Sequence, residues 1–109
     1  LEMASLQKKV GNFIAPTDES AAATLANLEL PANLRAWPTD PSGDNDYPIV
    51  SFSWLLLYKK YANAGKLEAL KKFINWSLTD GQKLAPELGY VALPAPVVAK
   101  CQAALETIQ

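Results

Sequence analysis

The chain has 109 residues, 10 of them basic and 11 acidic, and half of it is hydrophobic. That is one domain's worth of sequence with enough apolar material for a packed core, which excludes disorder, and the charge balance excludes the basic face that nucleic acid needs. There is no histidine, which removes the commonest general base, the usual Ser/His and Cys/His triads and most transition-metal sites.

No apolar run approaches the roughly 20 residues that span a bilayer. The N-terminal residues LEMASLQKKV lack the basic-then-apolar order of a signal peptide. A soluble mature chain is expected, with its compartment left open. Cys101 is the sole cysteine, so an internal disulfide is excluded. Set among alanines on an expected helix, it reads as a small core residue and not as a nucleophile.

In chain order, Met3 to Gln7 is mildly β-prone, Lys8, Lys9, Gly11 and Asn12 form a turn, and Phe13 and Ile14 follow. This predicts a short hairpin. Lys8 and Lys9 invite an anion-binding reading, but adjacent turn lysines are more often solvated. Pro16, Thr17, Asp18 and Glu19 predict a helix start, with Thr17 as cap and the acids at the positive end. Ala21, Leu25 and Leu28 give its apolar face, and Pro31 stops it.

Asn33 to Asp46 reads as a loop, with Pro38, Pro41 and Gly43. Asp40, Asp44 and Asp46 raise the question of calcium, but the position twelfth from Asp40 is Ser51 and Gly43 is out of register. A plain polar loop is the better reading. Trp37 is expected to plug against the body of the fold.

Tyr47 to Tyr61, YPIVSFSWLLLYKKY, is the most apolar and β-prone run. Its uninterrupted core, Trp54 to Tyr58, predicts a strand buried on both faces. After a turn at Ala62 to Gly65, the spacing predicts a helix over Lys66 to Leu78. Its stripe is Leu67, Leu70, Ile74 and Leu78, widened by Phe73, with Lys66, Lys71, Lys72 and Asn75 facing water. Asn75-Trp76-Ser77 fits a glycosylation sequon in an unsuitable mid-helix position. Thr79 and Gln82 have the spacing of a capping box, Pro86 splits the following short helix, and Gly89 ends it. Tyr90 to Leu93 is expected to be extended. A last helix after Pro94 and Pro96 buries Val97, Cys101, Ala104, Leu105 and Ile108. One buried strand followed by helices does not make a closed sheet, so the chain is expected to be incomplete or to complete itself with another copy.

Gly11-Asn12-Phe13 with Ala15-Pro16-Thr17, Tyr47-Pro48-Ile49-Val50 running through Trp54 to Tyr58-Lys59-Lys60-Tyr61, Gly81-Gln82-Lys83-Leu84-Ala85, and Glu87 to Pro94 follow one another collinearly. Together they resemble the C-terminal part of the PstS-type periplasmic phosphate-binding proteins, the receptors of phosphate ABC transporters. Pro86 departs from that pattern. The resemblance implies an α/β, type II periplasmic-binding fold of which this chain is an incomplete portion: short β-element, helix, buried crossing strand and C-terminal helices. Residues 1 to 45 would end the second lobe, 46 to 61 would be the interlobe crossing strand, and 62 to 109 would complete the first lobe. A hinge is expected over Asp46 to Phe52.

The implied function is to help deliver inorganic phosphate to ABC permease subunits, in an exported protein of the periplasm or cell surface. It implies no enzyme and no cofactor, and no catalytic or metal-binding residue is assigned. The phosphate-binding residues stay unknown: the family's Ser/Thr-Gly-Thr loop, arginine and aspartate have no match here. Arg35 is the sole arginine and lies in no such loop, and Thr17, Ser53 and Lys59 are not assigned the task. The alternatives are a structural fragment that self-associates or domain-swaps, a receptor for sulfate or molybdate, and, least supported, an exported phosphatase on the same fold.

Overall fold

The structure is a computed structural model that describes residues 2–109. It divides into two compact units, Leu1–Phe52 and Ser53–Gln109.

The first unit begins with the expected hairpin. Strands β1 (Leu6–Gln7) and β2 (Phe13–Ile14) pair antiparallel, Leu6 opposite Ile14 and Gln7 opposite Phe13. The turn between them closes through Lys8 N–H to the Asn12 carbonyl and Gly11 N–H to the Lys8 carbonyl, each 2.9 Å. Gly11 sits at φ +96°, a conformation a side chain would oppose. Helix α1 (Asp18–Asn27) follows. Thr17 caps it as its sequence suggests, and Ser20 completes the box. The Ser20 N–H donates to the Thr17 hydroxyl at 3.1 Å and the Thr17 N–H to the Ser20 hydroxyl at 3.0 Å. The helix buries Ser20, Thr24 and Leu25, and Leu30 joins Leu25 in the core beyond its end. Residues 28–52 contain no helix or strand.

The second unit is helix on helix. Helix α2 (Ala64–Leu78) starts inside the predicted turn because Asn63 caps it, accepting from the Lys66 N–H at 2.9 Å. Two 3-10 turns, Asp80–Leu84 and Pro86–Leu88, come next and are split at Pro86 as expected. Gly89 ends the second in the left-handed region at φ +77°. Helix α3 (Ala95–Glu106) closes the chain. The core is Ile74 of α2 with Val97 and Leu105 of α3, all under a tenth exposed, while Leu67, Leu70, Leu78, Cys101 and Ala104 are half-buried. The Gln102 amide donates to the Asn75 carbonyl oxygen at 2.8 Å, and Lys71 pairs with Glu106 at 3.8 Å. Lys71 thus lies half-buried between the two helices instead of facing water.

Several expectations are corrected. The buried crossing strand is the largest. Residues 50–58 form no strand, and Leu55, Leu56 and Tyr58 are 71%, 93% and 77% exposed. A strand needs a ladder partner. Among the described residues, the strands are β1 and β2, which pair with each other. The core of the second unit is already filled by α2 and α3. Trp37 is not a plug: it is 58% exposed, with the Arg35 guanidinium 5.6 Å from its ring centre. Phe73 does not widen the stripe but stacks outside on Trp76, ring centres 6.3 Å apart. Thr79 caps nothing with its side chain. Its hydroxyl donates back to the Asn75 carbonyl at 2.9 Å, and Gln82 instead donates to the Ser77 carbonyl and accepts from Leu93 N–H, both 2.7 Å. Gln82 therefore ties the end of α2 to the approach to α3.

Candidate functional site

The features that could hold an oxyanion are lysines, an arginine and helix N-termini. One concavity with a helix start in it lies in the first unit. It is an open groove of about 540 Å³ lined by Phe13, Ile14, Thr17, Glu19, Ser20 and Asn45, among others. Its chemistry opposes an anion. At the start of α1 the Ser20 N–H is engaged by the Thr17 hydroxyl, and the N–H of the cap residue Thr17 by the Ser20 hydroxyl. The Glu19 carboxylate holds its own backbone N–H and the Thr17 hydroxyl, in that order of effect, and these bonds lower its pKa. The charge that complements the positive end of the helix is therefore built in. Thr17 is a cap and not a ligand.

Several cations are committed to partners within the chain. Lys9 pairs with Asp40 at 2.5 Å, and that hydrogen bond, then the charge itself, raises its pKa. Lys83 and Asp80 pair at 2.7 Å, as do Lys72 and Glu68. Arg35 lies over Trp37. Lys59 is exposed, and its carbonyl accepts from Gln109 N–H at 3.0 Å. Ser53 is exposed. Thr17 and Arg35 lie in the first unit, Ser53 and Lys59 in the second.

The polar cluster that the structure does build was not predicted. Lys8, read as a solvated turn lysine, is 5% exposed and donates from Nζ to the Gly43 carbonyl. Asp46 is 1% exposed, and its carboxylate accepts from Gly43 N–H at 3.1 Å and from Asn27 Nδ2 at 3.0 and 3.3 Å. Asn12 Nδ2 donates to the Asp44 carbonyl at 3.1 Å. The Thr24 hydroxyl is shared between the Ser20 carbonyl at 2.8 Å and the Tyr47 carbonyl at 3.1 Å, and the Tyr47 hydroxyl donates to the Ala4 carbonyl at 3.0 Å. The cluster fastens the 40–47 loop onto the hairpin and α1. Every buried side-chain polar atom among the described residues has a partner, so the cluster offers no open donor to a ligand and is a structural clasp. The signal for it was the Gly-Asp-Asn-Asp run at Gly43 to Asp46, which marks a tight turn without saying what the turn lies on.

No group of three metal-ligating side chains occurs among the described residues, and no helix there is long and apolar enough to cross a membrane. Cys101 is half-buried, and burial raises its thiol pKa, the opposite of an activated nucleophile.

No family profile matches the chain. Compared with curated proteins, nearly its whole length aligns with binding proteins. These relatives are the phosphate-binding proteins PstS. That of Methanocaldococcus jannaschii is 39% identical over 112 residues, covering 89% of this chain and 28% of the relative. That of Pasteurella multocida is 37% identical, covering 98% and 32%, and that of Haemophilus influenzae 34%, covering 94% and 31%. The chain is thus homologous to a part of the PstS phosphate-binding proteins and spans about 30% of their length.

Proposed function

We propose that this chain is the C-terminal portion of a phosphate-binding receptor with two α/β lobes, exported to the periplasm or cell surface, which hands inorganic phosphate to an ABC permease. The observation that carries the reading is the similarity to PstS proteins along nearly the entire chain. In this reading residues 1 to 45 end the second lobe, 46 to 61 cross back, and 62 to 109 complete the first. The exposed run Trp54 to Tyr58 supports it from the physics, since a leucine-rich, β-prone segment without a ladder is suited to a sheet supplied by other sequence.

The chain's own work in that receptor is structural and not catalytic. The clasp of Lys8, Gly43 and Asp46 holds the loop that leads into the crossing segment. Helices α2 and α3 pack a small core of their own. Phosphate would be held by a loop, an arginine and an aspartate lying outside this chain.

The test is the coding sequence on the upstream side. A signal peptide and a Ser/Thr-Gly-Thr type loop in the same reading frame are expected. A reading frame that opens at these residues, with neither feature, would overturn the reading.

A further inference from the structure

Five glycines occur in the chain, and only Gly81 follows an aspartate or asparagine. The pair Asp80-Gly81 stands at the joint between α2 and the first 3-10 turn. Glycine is there for space. A Cβ on Gly81 would stand 3.2 Å from the Trp76 carbonyl oxygen and 3.3 Å from the Trp76 ring, closer than a methyl group ordinarily comes to either. That carbonyl is itself held, because it accepts from the Thr79 N–H at 3.1 Å. The Asp-Gly sequence is thus built into the joint.

An Asp-Gly pair carries a chemistry of its own. Glycine has no side chain to shield its backbone nitrogen from the carboxyl group before it. The Gly81 nitrogen can form a bond to Asp80 Cγ, losing its proton while the carboxyl group loses its hydroxyl, so that water leaves and a five-membered imide remains. Water then adds to the Asp80 main-chain carbonyl carbon and breaks its bond to nitrogen. The chain now runs through Cγ, as isoaspartate, with no net change in mass.

We propose that Asp80-Gly81 is the site at which this chain isomerises, and that Lys83 and Gln82 hold the reaction back in the folded state. The imide forms from the neutral carboxylic acid, since a carboxylate does not give up its oxygen. The Lys83 ammonium, 2.7 Å from Asp80 Oδ1, favours the carboxylate. That hydrogen bond, then the charge, lowers the Asp80 pKa. Ring closure also needs the main chain to turn until the Gly81 nitrogen meets Cγ, and the main chain is pinned on both sides. Thr79 N–H is given to Trp76, Gln82 N–H donates to the Thr79 carbonyl at 3.2 Å, and the Gln82 amide spans from the Ser77 carbonyl to the Leu93 N–H. Isoaspartate would add a methylene to the main chain two residues before Gln82 and loosen its tie between α2 and α3. These contacts all lie within the second unit, and they are independent of what the complete receptor binds.

The test is prolonged incubation of the purified chain at neutral pH, with isoaspartate located by peptide mapping and electron-transfer fragmentation. Isoaspartate is expected first at position 80. Lys83→Ala should raise its yield roughly two- to fivefold at equal time, the factor that an exposed ion pair supplies, and Lys83→Arg should keep the slow rate. Lys72→Ala, which removes the comparable pair with Glu68, should change nothing. Urea should speed the reaction in the unsubstituted chain and erase its difference from Lys83→Ala. A rate that Lys83→Ala leaves unchanged, a rate equal in the folded chain and in urea, or isoaspartate that appears first at another residue would overturn the proposal.

Discussion

Gly43 and Asp46 hold each other. The Gly43 N–H donates to the Asp46 carboxylate at 3.1 Å, and the Asp46 N–H donates back to the Gly43 carbonyl at the same distance. The same carbonyl takes the Lys8 ammonium. A Cβ on Gly43 would stand 2.5 Å from a carboxylate oxygen of Asp46, so glycine is required there by space. Gly43→Ala should destabilise the chain by about 1–3 kcal/mol, the cost of overpacking. Urea unfolding measures it; an unchanged midpoint would show that the carboxylate has room to move.

Asp46→Ala should cost about 1–3 kcal/mol, because it removes the buried, charged acceptor of the half-buried Gly43 N–H and of the Asn27 amide. Its mark is local. Hydrogen exchange should speed up at Gly43 to Tyr47 while the amides of α2 and α3 keep their rates. Equal acceleration in both units would contradict the clasp.

Leucines of one sequence should differ sharply. Leu105, 5% exposed, should cost about 2–5 kcal/mol on truncation to alanine. Leu56→Ala should stay within about 0.5 kcal/mol when measured on dilute, monomeric chain. A large loss at Leu56 under those conditions would restore the buried strand that the sequence suggested.

Cys101 gives the pH prediction. Its raised pKa means that the folded state favours the neutral thiol. The associated stability is therefore complete below the thiol's unfolded pKa and is lost as pH rises through the folded one. Alkylation at mildly alkaline pH should be slower in the native chain than in urea. Equal rates would show an accessible, unperturbed thiol.

What was legible in the sequence was local. The Thr17 cap, the Gly11 turn, the split at Pro86 and the stop at Gly89 each depend on residues within a few positions, and each stands where its chemistry put it. Gln82 shows the boundary: its spacing from Thr79 fitted a capping box, but its amide reaches Leu93, eleven residues on. The clasp was invisible because Lys8 and Gly43 are 35 residues apart and nothing local says which loop covers the hairpin. The run Trp54 to Tyr58 was misread for a related reason. An apolar, β-prone pattern states that a segment is fit for burial, not that its own chain buries it. The phosphate site was not legible as residues, and Lys9, Lys83, Lys72 and Lys8 are held by Asp40, Asp80, Glu68 and Gly43.

The account rests on this chain being a part of a phosphate receptor that does not itself hold phosphate. Titration calorimetry of inorganic phosphate into the purified 109-residue chain tests that most directly. No stoichiometric heat is the predicted result; a tight one-to-one isotherm would contradict it.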